Sequence, residues 1–352
     1  MKRLSPCTRE SVWAFLRVVW QARRLPNRDH KPKQRCDVEI LHKEPKEVKL
    51  QYLTDESQKD KKWDYHRSHT QDIEAVYRAS PEFTNTANSL SDCSNFLGFA
   101  YKPDPATGEY RYKLRSAYFC QKRHCPVCQW RRSMRNVARF LERMPVIEAT
   151  FPNHRWLFLT LTVKNCQLDA LRAYIGQMNK GWQRLIQKKD WPADGWLRTT
   201  EVTRNPNDGS AHPHFHVLMM VKPAYFSHGY VTQEAWAHRW KEAMRLDYDP
   251  IIDIRAVRPK IKGQTLQAAV LETLKYGTKA DDGITSADWL YGITKQLHKL
   301  RFLASGGALK DILKEELSND EMIRGDEAEG GEEAVEELTH FQWHTVKRRY
   351  YR

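Results

Sequence analysis

The chain has 352 residues, of which 40% are hydrophobic, and 58 lysines and arginines against 44 acidic residues give a formal net charge of +14. No apolar run approaches the roughly 18 residues of a membrane span, and the short apolar patch at residues 12–20 has no small-residue cleavage site after it. The sequence therefore predicts a protein of the reducing cytoplasm, where its seven cysteines serve as metal ligands or free thiols rather than disulfides.

The charge is unevenly distributed along the chain. Residues 311–338 hold twelve acidic and two basic residues, whereas residues 339–352 hold four basic and no acidic ones. Residues 1–310 therefore carry a net charge of +20, which predicts a polyanionic partner. The acidic segment either competes with phosphate for this basic surface or is a solvated linker.

The N-terminal part of the chain is polar and strongly charged. Residues 1–87 are predicted to be a basic, partly flexible extension with one short helix at residues 9–23. Residues 88–145 form a cysteine-rich segment with short aromatic strands near residues 110–114 and 117–119. A helix is expected from Gln129 to Arg143, ended by the Met144-Pro145 pair.

The pattern of the following segment, residues 146–305, indicates a mixed domain. A strand is predicted at 156–163, and two further strands, 196–203 and 214–221, form a hairpin around the turn-rich residues 204–213. The other expected elements are helices at 168–188, 233–246 and 265–279 and a strand near 251–257. This arrangement predicts an α+β fold with a central antiparallel sheet flanked by helices. Residues 306–338 are an acidic segment and residues 339–352 a basic tail.

Four of the cysteines are close in the sequence: Cys93, Cys120, Cys125 and Cys128. The two-residue spacing of the last pair lets both thiolates reach one tetrahedral ion, so the sequence predicts a structural zinc site. A metal-free CxxC and a redox pair are the alternatives, but no thioredoxin-like βαβ pattern surrounds the motif. His124 is an alternative fourth ligand to Cys93. The neighbouring bases are expected to face a phosphate backbone: Lys122, Arg123, Arg131, Arg132 and Arg135.

His214 and His216 are separated by one residue on a predicted strand. Their side chains therefore project from the same face, while Phe215 and Val217 point into the core. Two imidazoles at this spacing chelate one divalent ion, although an isolated His-X-His is more often a pair of surface histidines. Glu201 on the neighbouring strand is a candidate third ligand, and such a nitrogen and oxygen set suits Mg²⁺ or Mn²⁺. On a continuous strand the His212 side chain would project from the same face as His214 and His216, but Pro213 is expected to break the strand between His212 and His214.

Glu272 and Tyr276 lie four residues apart on the last predicted helix, and Lys279 lies nearly one turn further along. A tyrosine hydroxyl facing a metal-polarised phosphodiester is a nucleophile for transesterification, and a nearby lysine stabilises the charge. Alone, this pattern is also typical of a packed ring beside a solvated amine.

These motifs together resemble the single-tyrosine HUH endonucleases, and in particular the rolling-circle plasmid replication initiators. The family's first motif is matched by Phe158 to Thr162, the second by His214-Phe215-His216, and the third by Glu272, Tyr276 and Lys279. The cysteine cluster also resembles that subfamily. The resemblance covers roughly residues 90–282.

The resemblance implies an HUH fold with a small zinc-binding module on its N-terminal side, acting in the bacterial cytoplasm. His214 and His216 would hold the divalent ion, with Glu201 the less secure ligand because the third ligand varies among HUH proteins. Tyr276 would attack single-stranded or hairpin origin DNA, becoming joined to the 5′-phosphate and freeing a 3′-hydroxyl for a host polymerase, with a host helicase as a further partner. Glu272 would activate water for the terminating cleavage, or else form a surface ion pair with Lys275 or Lys279.

Two other functions share parts of this pattern. An HUH transposase would use the same metal and tyrosine chemistry, whereas a zinc-containing DNA-binding regulator would use the motifs only structurally. A conjugative relaxase fits less well, because its nucleophilic tyrosine precedes the histidines. Further DNA contacts are expected from basic residues or from aromatic rings that stack on bases, although most of these rings are expected in the core. The candidates are Arg255, Arg258, Lys260, Lys262, Trp182, Trp191 and Trp196.

Overall fold

A five-stranded antiparallel sheet forms the centre of the protein. The computed structural model describes residues 50–103, 107–257, 266–274, 286–310, 319–324 and 337–352. The strand order across this sheet is β6-β3-β5-β4-β7. The strands are β3 (Arg155–Thr162), β4 (Ala193–Arg204), β5 (Ala211–Val221), β6 (Ile252–Ala256) and β7 (Leu303–Gly307).

Strands β4 and β5 form the expected hairpin in the middle of the sheet. Its turn is closed by two backbone hydrogen bonds, from Asn205 N to Ser210 O at 2.8 Å and from Gly209 N to Asn205 O at 2.9 Å. Gly209 has a φ of +70°, which glycine adopts without the steric cost that a Cβ atom would impose. The tight turn therefore fixes the register of the two strands.

The face of the sheet that carries Phe215 and Val217 is called the tryptophan face. It is covered by helices α5 (Leu171–Ile186) and α6 (Gln233–Met244). Their apolar stripes bury Trp182, Trp236 and Trp240 completely. Burial of a ring this large contributes about 4–6 kcal/mol of transfer free energy, so this layer is the main hydrophobic support of the sheet.

The opposite face, which carries His214 and His216, is called the site face. Its apolar part is covered by helices α4 (Pro126–Thr150) and α7 (Leu266–Leu274). Phe140 of α4 and Val270 and Leu274 of α7 pack there with Leu218 and Met220 of β5. The sheet is thus sandwiched between two helical layers, and the predicted α+β class with antiparallel strands and flanking helices is confirmed.

A second, four-stranded antiparallel sheet has the order β2-β1-β8-β9. Its strands are β1 (Phe96–Pro103), β2 (Tyr110–Ala117), β8 (Thr339–His344) and β9 (Arg349–Tyr351). The last two strands come from the predicted basic tail. Tyr350 is fully buried, and its hydroxyl donates to Ser94 O at 2.7 Å. Residues 339–352 are therefore an integral part of the cysteine-rich module rather than a tail.

Residues 50–92 form helices, which differs from the flexible extension expected up to residue 87. The helices are α1 (Leu53–Glu56), α2 (Lys61–Arg78) and α3 (Thr84–Asp92). The buried stripe of α2 includes Trp63, Arg67, Thr70 and Tyr77. Polar residues occupy two of these positions, so the hydrophobic periodicity of a helix is hidden. Residues 1–49, with the helix expected at 9–23, lie outside the described residues.

Helix α4 continues through Pro145 to Thr150, beyond the end expected at Met144-Pro145. A proline inside a helix removes a hydrogen bond and costs about 3 kcal/mol. Met144 and Ile147 on either side are both buried in the core under the site face. Their burial offsets this cost and keeps the helix intact. Because α4 spans residues 126–150, it also runs across the domain boundary expected at residue 145.

The remaining elements lie close to their expected positions. Helix α7 ends at Leu274, the last described residue of that segment, so the rest of the expected helix to residue 279 lies outside the described residues. Helix α8 (Ala287–Gln296) and the short helix α9 (Asn319–Arg324) follow. The second of these lies within the acidic segment. Among the described helices, none is long and apolar enough to cross a membrane.

Candidate active site

Strand β5 presents its two histidines where three strands run side by side. His214 pairs with Thr162 of β3 and with Glu201 of β4, and His216 pairs with Thr160 of β3. Phe215 and Val217 are fully buried on the tryptophan face. The expected alternation of these side chains is therefore what the structure shows, and the register brings a carboxylate opposite the histidines.

Glu201, His214 and His216 form a compact cluster of ligand atoms. Glu201 Oε2 lies 2.9 Å from His216 Nε2 and 3.5 Å from His214 Nε2, and each of the three residues offers a ligand atom within 4.8 Å of the others. Ligands about 2.1 Å from an octahedral cation lie about 3 Å apart at right angles. The cluster therefore fits one face of such a cation's coordination shell, and the set of two histidines and one carboxylate leaves positions open for substrate oxygens.

The Nδ1 atoms of both imidazoles lie within hydrogen-bonding distance of neighbouring oxygens. His214 Nδ1 lies 3.2 Å from the carbonyl oxygen of His212, to which it donates in the Nδ1-protonated form. His216 Nδ1 lies 3.3 Å from the Thr160 hydroxyl. Partners at Nδ1 fix the orientation of a ring and leave Nε2 for a metal. Thr160 belongs to the first motif, although the motif itself does not indicate a contact with His216.

Glu201 is an anionic ligand in this cluster. Burial raises the pKa of its carboxyl group, but hydrogen bonds with His214 and His216 and electrostatic attraction to these rings lower it, and the net result is a pKa well below the ordinary value. The carboxylate is 4% exposed. A buried negative charge next to two imidazoles provides the electrostatic attraction that a divalent cation requires.

A hydrogen-bonded network that the sequence did not suggest surrounds His212. Asn165 Oδ1 lies 2.8 Å from His212 Nδ1, Asn165 Nδ2 donates to Ser210 Oγ at 2.9 Å, and Ser210 Oγ donates to Asp208 at 2.6 Å.

Strand β5 includes Pro213, contrary to the break expected there. Pairing with β3 ends at His214, so Pro213 pairs only with β4 and its missing N–H is tolerated. The His212 ring lies 5.2 Å from that of His214.

Helix α7 brings the glutamate of the third motif over the site face. Leu274 is buried with Leu197 and Leu218 of the sheet, and its carbonyl oxygen accepts a hydrogen bond from Ser133 Oγ at 2.8 Å. Glu272 is half-buried on this helix. Tyr276 and Lys279 follow in the sequence and lie outside the described residues. The last described turn before Tyr276 is therefore anchored both to the sheet that carries the histidines and to helix α4.

The four cysteines of the predicted cluster are brought together. The distances from Cys93 Sγ to those of Cys125 and Cys128 are both 3.5 Å, and Cys120 Sγ lies 3.6 Å from Cys128 Sγ. Four sulfurs bound tetrahedrally at about 2.3 Å from one zinc ion would lie about 3.8 Å apart. The geometry therefore fits one tetrahedral ion, with Cys93 rather than His124 completing the set.

The thiols of the cluster differ in acidity: hydrogen bonds with neighbouring cysteines raise the pKa of the Cys93 thiol and burial raises the pKa of the Cys128 thiol, each well above its ordinary value. The backbone N–H groups of Cys120 and Gln121 donate to Cys93 Sγ and Cys128 Sγ at 3.5 and 3.3 Å. Burial raises the pKa of the Cys125 thiol, but hydrogen bonds from the other three cysteines lower it well below its ordinary value. Cys166 is buried elsewhere, and Cys7 and Cys36 lie outside the described residues. None of the described cysteines forms a disulfide.

Two of the arginines expected to face DNA are instead largely internal, whereas the candidate tryptophans lie in or against the core, as expected for most of them. Arg123 donates to Leu300 O at 2.5 Å and lies 4.0 Å above the Phe302 ring, and Arg131 is 5% exposed. Trp182 and Trp196 are buried in the core, and Trp191 packs against it. Arg255 is exposed and pairs with Asp253 at 2.8 Å. Arg258, Lys260 and Lys262 lie outside the described residues.

The fold and the two clusters define an α+β protein with one candidate site for an octahedral cation and one for a tetrahedral cation. Comparison with known proteins identifies the family: a family model described as "Replication protein" matches residues 111–351, more than half of the chain. The chain belongs to this Rep_1 family, the replication initiators of rolling-circle plasmids.

Several known proteins named "Protein rep" are similar to this chain. The chain is 36% identical over 275 residues to "Protein rep" of Bacillus amyloliquefaciens, covering 72% of this chain and 77% of the relative. It is 35% identical to "Protein rep" of Lactiplantibacillus plantarum, covering 79% of this chain and 91% of the relative. A third "Protein rep", from Streptococcus pneumoniae, is 37% identical over 65% of this chain and 72% of the relative. No solved structure matches the chain.

The cluster of Glu201, His214 and His216 predicts a measurable cation site. Replacing His216 by alanine removes one ligand and should weaken Mn²⁺ binding by at least roughly tenfold, measured by isothermal titration calorimetry. His238→Ala on helix α6 is the matched control, because its side chain is 69% exposed and lies outside the cluster. Equal Mn²⁺ affinity of the two variants would contradict the site.

Proposed function

We propose that this chain initiates plasmid replication by metal-dependent, site-specific nicking and joining of single-stranded origin DNA. The observation that carries the proposal is the cluster of Glu201, His214 and His216 on the same sheet face over which helix α7 packs. That helix carries Glu272, and Tyr276 follows it four residues later in the sequence. A cation site and a tyrosine are the two components that transesterification of a phosphodiester requires.

The reaction forms one bond and breaks one bond at the scissile phosphorus. The Tyr276 hydroxyl loses its proton and its oxygen bonds to phosphorus, while the bond from phosphorus to the 3′-oxygen breaks and that oxygen takes up a proton. The products are a 5′-phosphotyrosine and a free 3′-hydroxyl. A divalent cation, when bound, supplies Lewis-acid polarisation of the phosphate. Family resemblance assigns the 3′-hydroxyl as a primer for a host polymerase, with a host helicase separating the strands.

His214, His216 and Glu201 would hold the cation, Mg²⁺ or Mn²⁺. Their Nε2 and carboxylate atoms converge on one point, and the partners at Nδ1 keep the rings in place. Lys279 would stabilise the charge of the phenolate or of the phosphate. The side chains on β3, β4 and β5 are buried and already held in position, so little reorganisation is needed at the moment of reaction.

Glu272 would activate the water that ends the cycle. It precedes Tyr276 by four residues, a spacing at which helical side chains project from the same face. A carboxylate in this position reaches the same phosphate as the phenol and accepts a proton from water. The alternative role is an ion pair with Lys275 or Lys279.

The four cysteines would hold a structural Zn²⁺ ion. They join the end of α3, the segment after β2 and the start of α4. A tetrahedral ion bound to all three segments would fix them relative to one another.

The nucleophile is tested by replacing Tyr276 with phenylalanine. Loss of the hydroxyl should lower nicking of supercoiled origin plasmid in the presence of Mn²⁺ by about 10³-fold or more and abolish the covalent protein-DNA product. Tyr110→Phe is a matched control, because Tyr110 is 61% exposed on β2 of the other sheet. Undiminished nicking by Tyr276→Phe, or no nicking by the unaltered protein, would remove the tyrosine mechanism.

The role of Glu272 is tested by separating the two halves of the cycle. Glu272→Ala should nick at the normal rate but accumulate covalent protein-DNA product, detected as a shifted band on a denaturing gel, because the terminating water lacks a base. Lys275→Ala removes the ion-pair partner and serves as the control. If both variants turn over like the unaltered protein, Glu272 forms a surface ion pair only.

The zinc proposal predicts about one zinc ion per chain on elemental analysis of the purified protein, as expected for one four-ligand site. Cys125→Ser should lose the ion and lower the melting temperature by several degrees. Cys166→Ser is the control, since Cys166 is also buried but lies outside the cluster. A metal-free protein of unchanged stability would contradict the proposal.

A further inference from the structure

Helix α2 (Lys61–Arg78) carries an arginine whose charge is buried. Arg67 is 2% exposed. Its Nη2 atom donates to Ser91 O at 2.8 Å, and its guanidinium lies 5.5 Å above the Trp343 ring, so both of these partners are neutral. Its Nε and Nη1 atoms are buried and have no hydrogen-bond partner among the described residues. A buried charge is costly unless an opposite charge compensates it, so this position requires a nearby anion.

Arg67 lies close to the cysteine cluster. Ser91, whose carbonyl oxygen accepts from Arg67, precedes Cys93 by two residues. The buried Tyr350 hydroxyl, which donates to Ser94 O at 2.7 Å, is within electrostatic range of both groups. Burial raises the pKa of Tyr350, the positive charge of Arg67 lowers it, and the Cys93 sulfur raises it further. The guanidinium and the first cysteine of the cluster therefore act on the same buried hydroxyl.

Helix α2 also contacts the cluster directly. Thr70 is fully buried, and its Oγ1 atom lies 3.8 Å from Cys125 Sγ. The same Oγ1 atom donates to His66 O at 2.9 Å and accepts from Val127 N, within the CxxC motif, at 3.3 Å. Arg67 and Thr70 are three residues apart and so lie on the same side of the helix. The side of α2 that carries Arg67 is therefore the side that packs against the cysteines.

The cluster becomes an anion when it binds zinc. Four thiolates and one Zn²⁺ ion sum to a net charge of about −2. The backbone N–H groups of Cys120 and Gln121 donate to two of the sulfurs, but they are neutral groups. Inside a protein the attraction between full charges extends well beyond hydrogen-bonding distance. The buried guanidinium and the zinc-loaded cluster would therefore compensate each other.

We propose that Arg67 is the counter-ion of the zinc-loaded cysteine cluster and that its buried charge strengthens zinc binding. Arg67 is not a zinc ligand; it stabilises the anionic, metal-bound cluster relative to the metal-free one. The proposal extends the zinc site to helix α2, which precedes the residues matched by the family model, 111–351. It rests on the zinc site of the proposed function and is independent of nicking.

Two replacements of Arg67 separate its charge from its shape. Arg67→Met keeps a long unbranched side chain without the charge, whereas Arg67→Lys keeps the charge. A counter-ion predicts that zinc affinity falls by roughly 10–100-fold in Arg67→Met, the loss typical of residues that support metal ligands, and by less in Arg67→Lys. A side chain that only fills space predicts the reverse order, because an unpaired ammonium in the core is costly and a methionine is not.

Zinc affinity is measured on the full chain, under reducing conditions, by competition with a chromophoric chelator. Arg198→Met is the matched control. Arg198 is 6% exposed, and its Nε and Nη1 atoms are likewise buried without a partner among the described residues. It lies on β4, with its guanidinium 4.1 Å from the centre of the Phe215 ring on the tryptophan face. Removal of this charge should leave zinc affinity unchanged.

The melting temperature gives a second measurement. In zinc-stripped protein, Arg67→Met removes a buried charge that has no counter-ion, so it should leave the melting temperature unchanged or raise it. In zinc-loaded protein the same replacement should lower the melting temperature, because zinc binds less tightly. A purely structural role would shift both melting temperatures in the same direction.

The outcomes separate this proposal from the zinc site itself. Weaker zinc binding by Arg67→Met than by Arg67→Lys, with Arg198→Met unchanged, supports the counter-ion. If Arg67→Met binds zinc at least as tightly as Arg67→Lys, the counter-ion is overturned while the zinc site stands. If the unaltered protein binds no zinc, both are overturned. If Arg67→Met does not fold, Arg67→Gln replaces it in the same comparison with Arg67→Lys.

Discussion

The central constraint of this protein is the alternation of side chains along β5, a strand buried on both faces. Phe215 and Val217 fill the tryptophan face, which forces His214 and His216 to the site face. A shift of one residue in register would exchange the two sets, burying both imidazoles under tryptophans and exposing two apolar side chains. The hydrophobic packing of one face therefore determines the position of the polar chemistry on the other.

Helix α4 connects the parts of the molecule that depend on one another. Its first turn holds Cys125 and Cys128, Ser133 holds the end of α7, and the stretch from Val137 to Ile147 packs under the site face. The cysteine cluster and the helix that precedes Tyr276 are therefore both attached to this one helix.

Much of the candidate site follows from local sequence, because ligand spacing and strand alternation are short-range properties. The shared face of His214 and His216 and the closeness of Cys125 to Cys128 depend only on spacing and on strand and helix geometry, whereas Cys93 reaches the cluster through contacts distant in the sequence. Helix α2 was not predictable, since Arg67 and Thr70 occupy buried positions that a hydrophobic pattern would require to be apolar. Strand β8 pairs with β1, which lies more than two hundred residues earlier, and β9 pairs with β8; no local pattern reveals the distant partner.

The distant pairing of β8 with β1 also determines when this protein can finish folding. A ribosome makes Phe96 about 240 residues before Thr339, an interval of roughly 12–48 s at 5–20 residues per second. During that time β1 has only β2 beside it, and its other edge is open to strands of neighbouring chains. Closure by β8 and by the buried Tyr350 is thus a late step of biosynthesis, possible only when nearly all of the described fold has been synthesised.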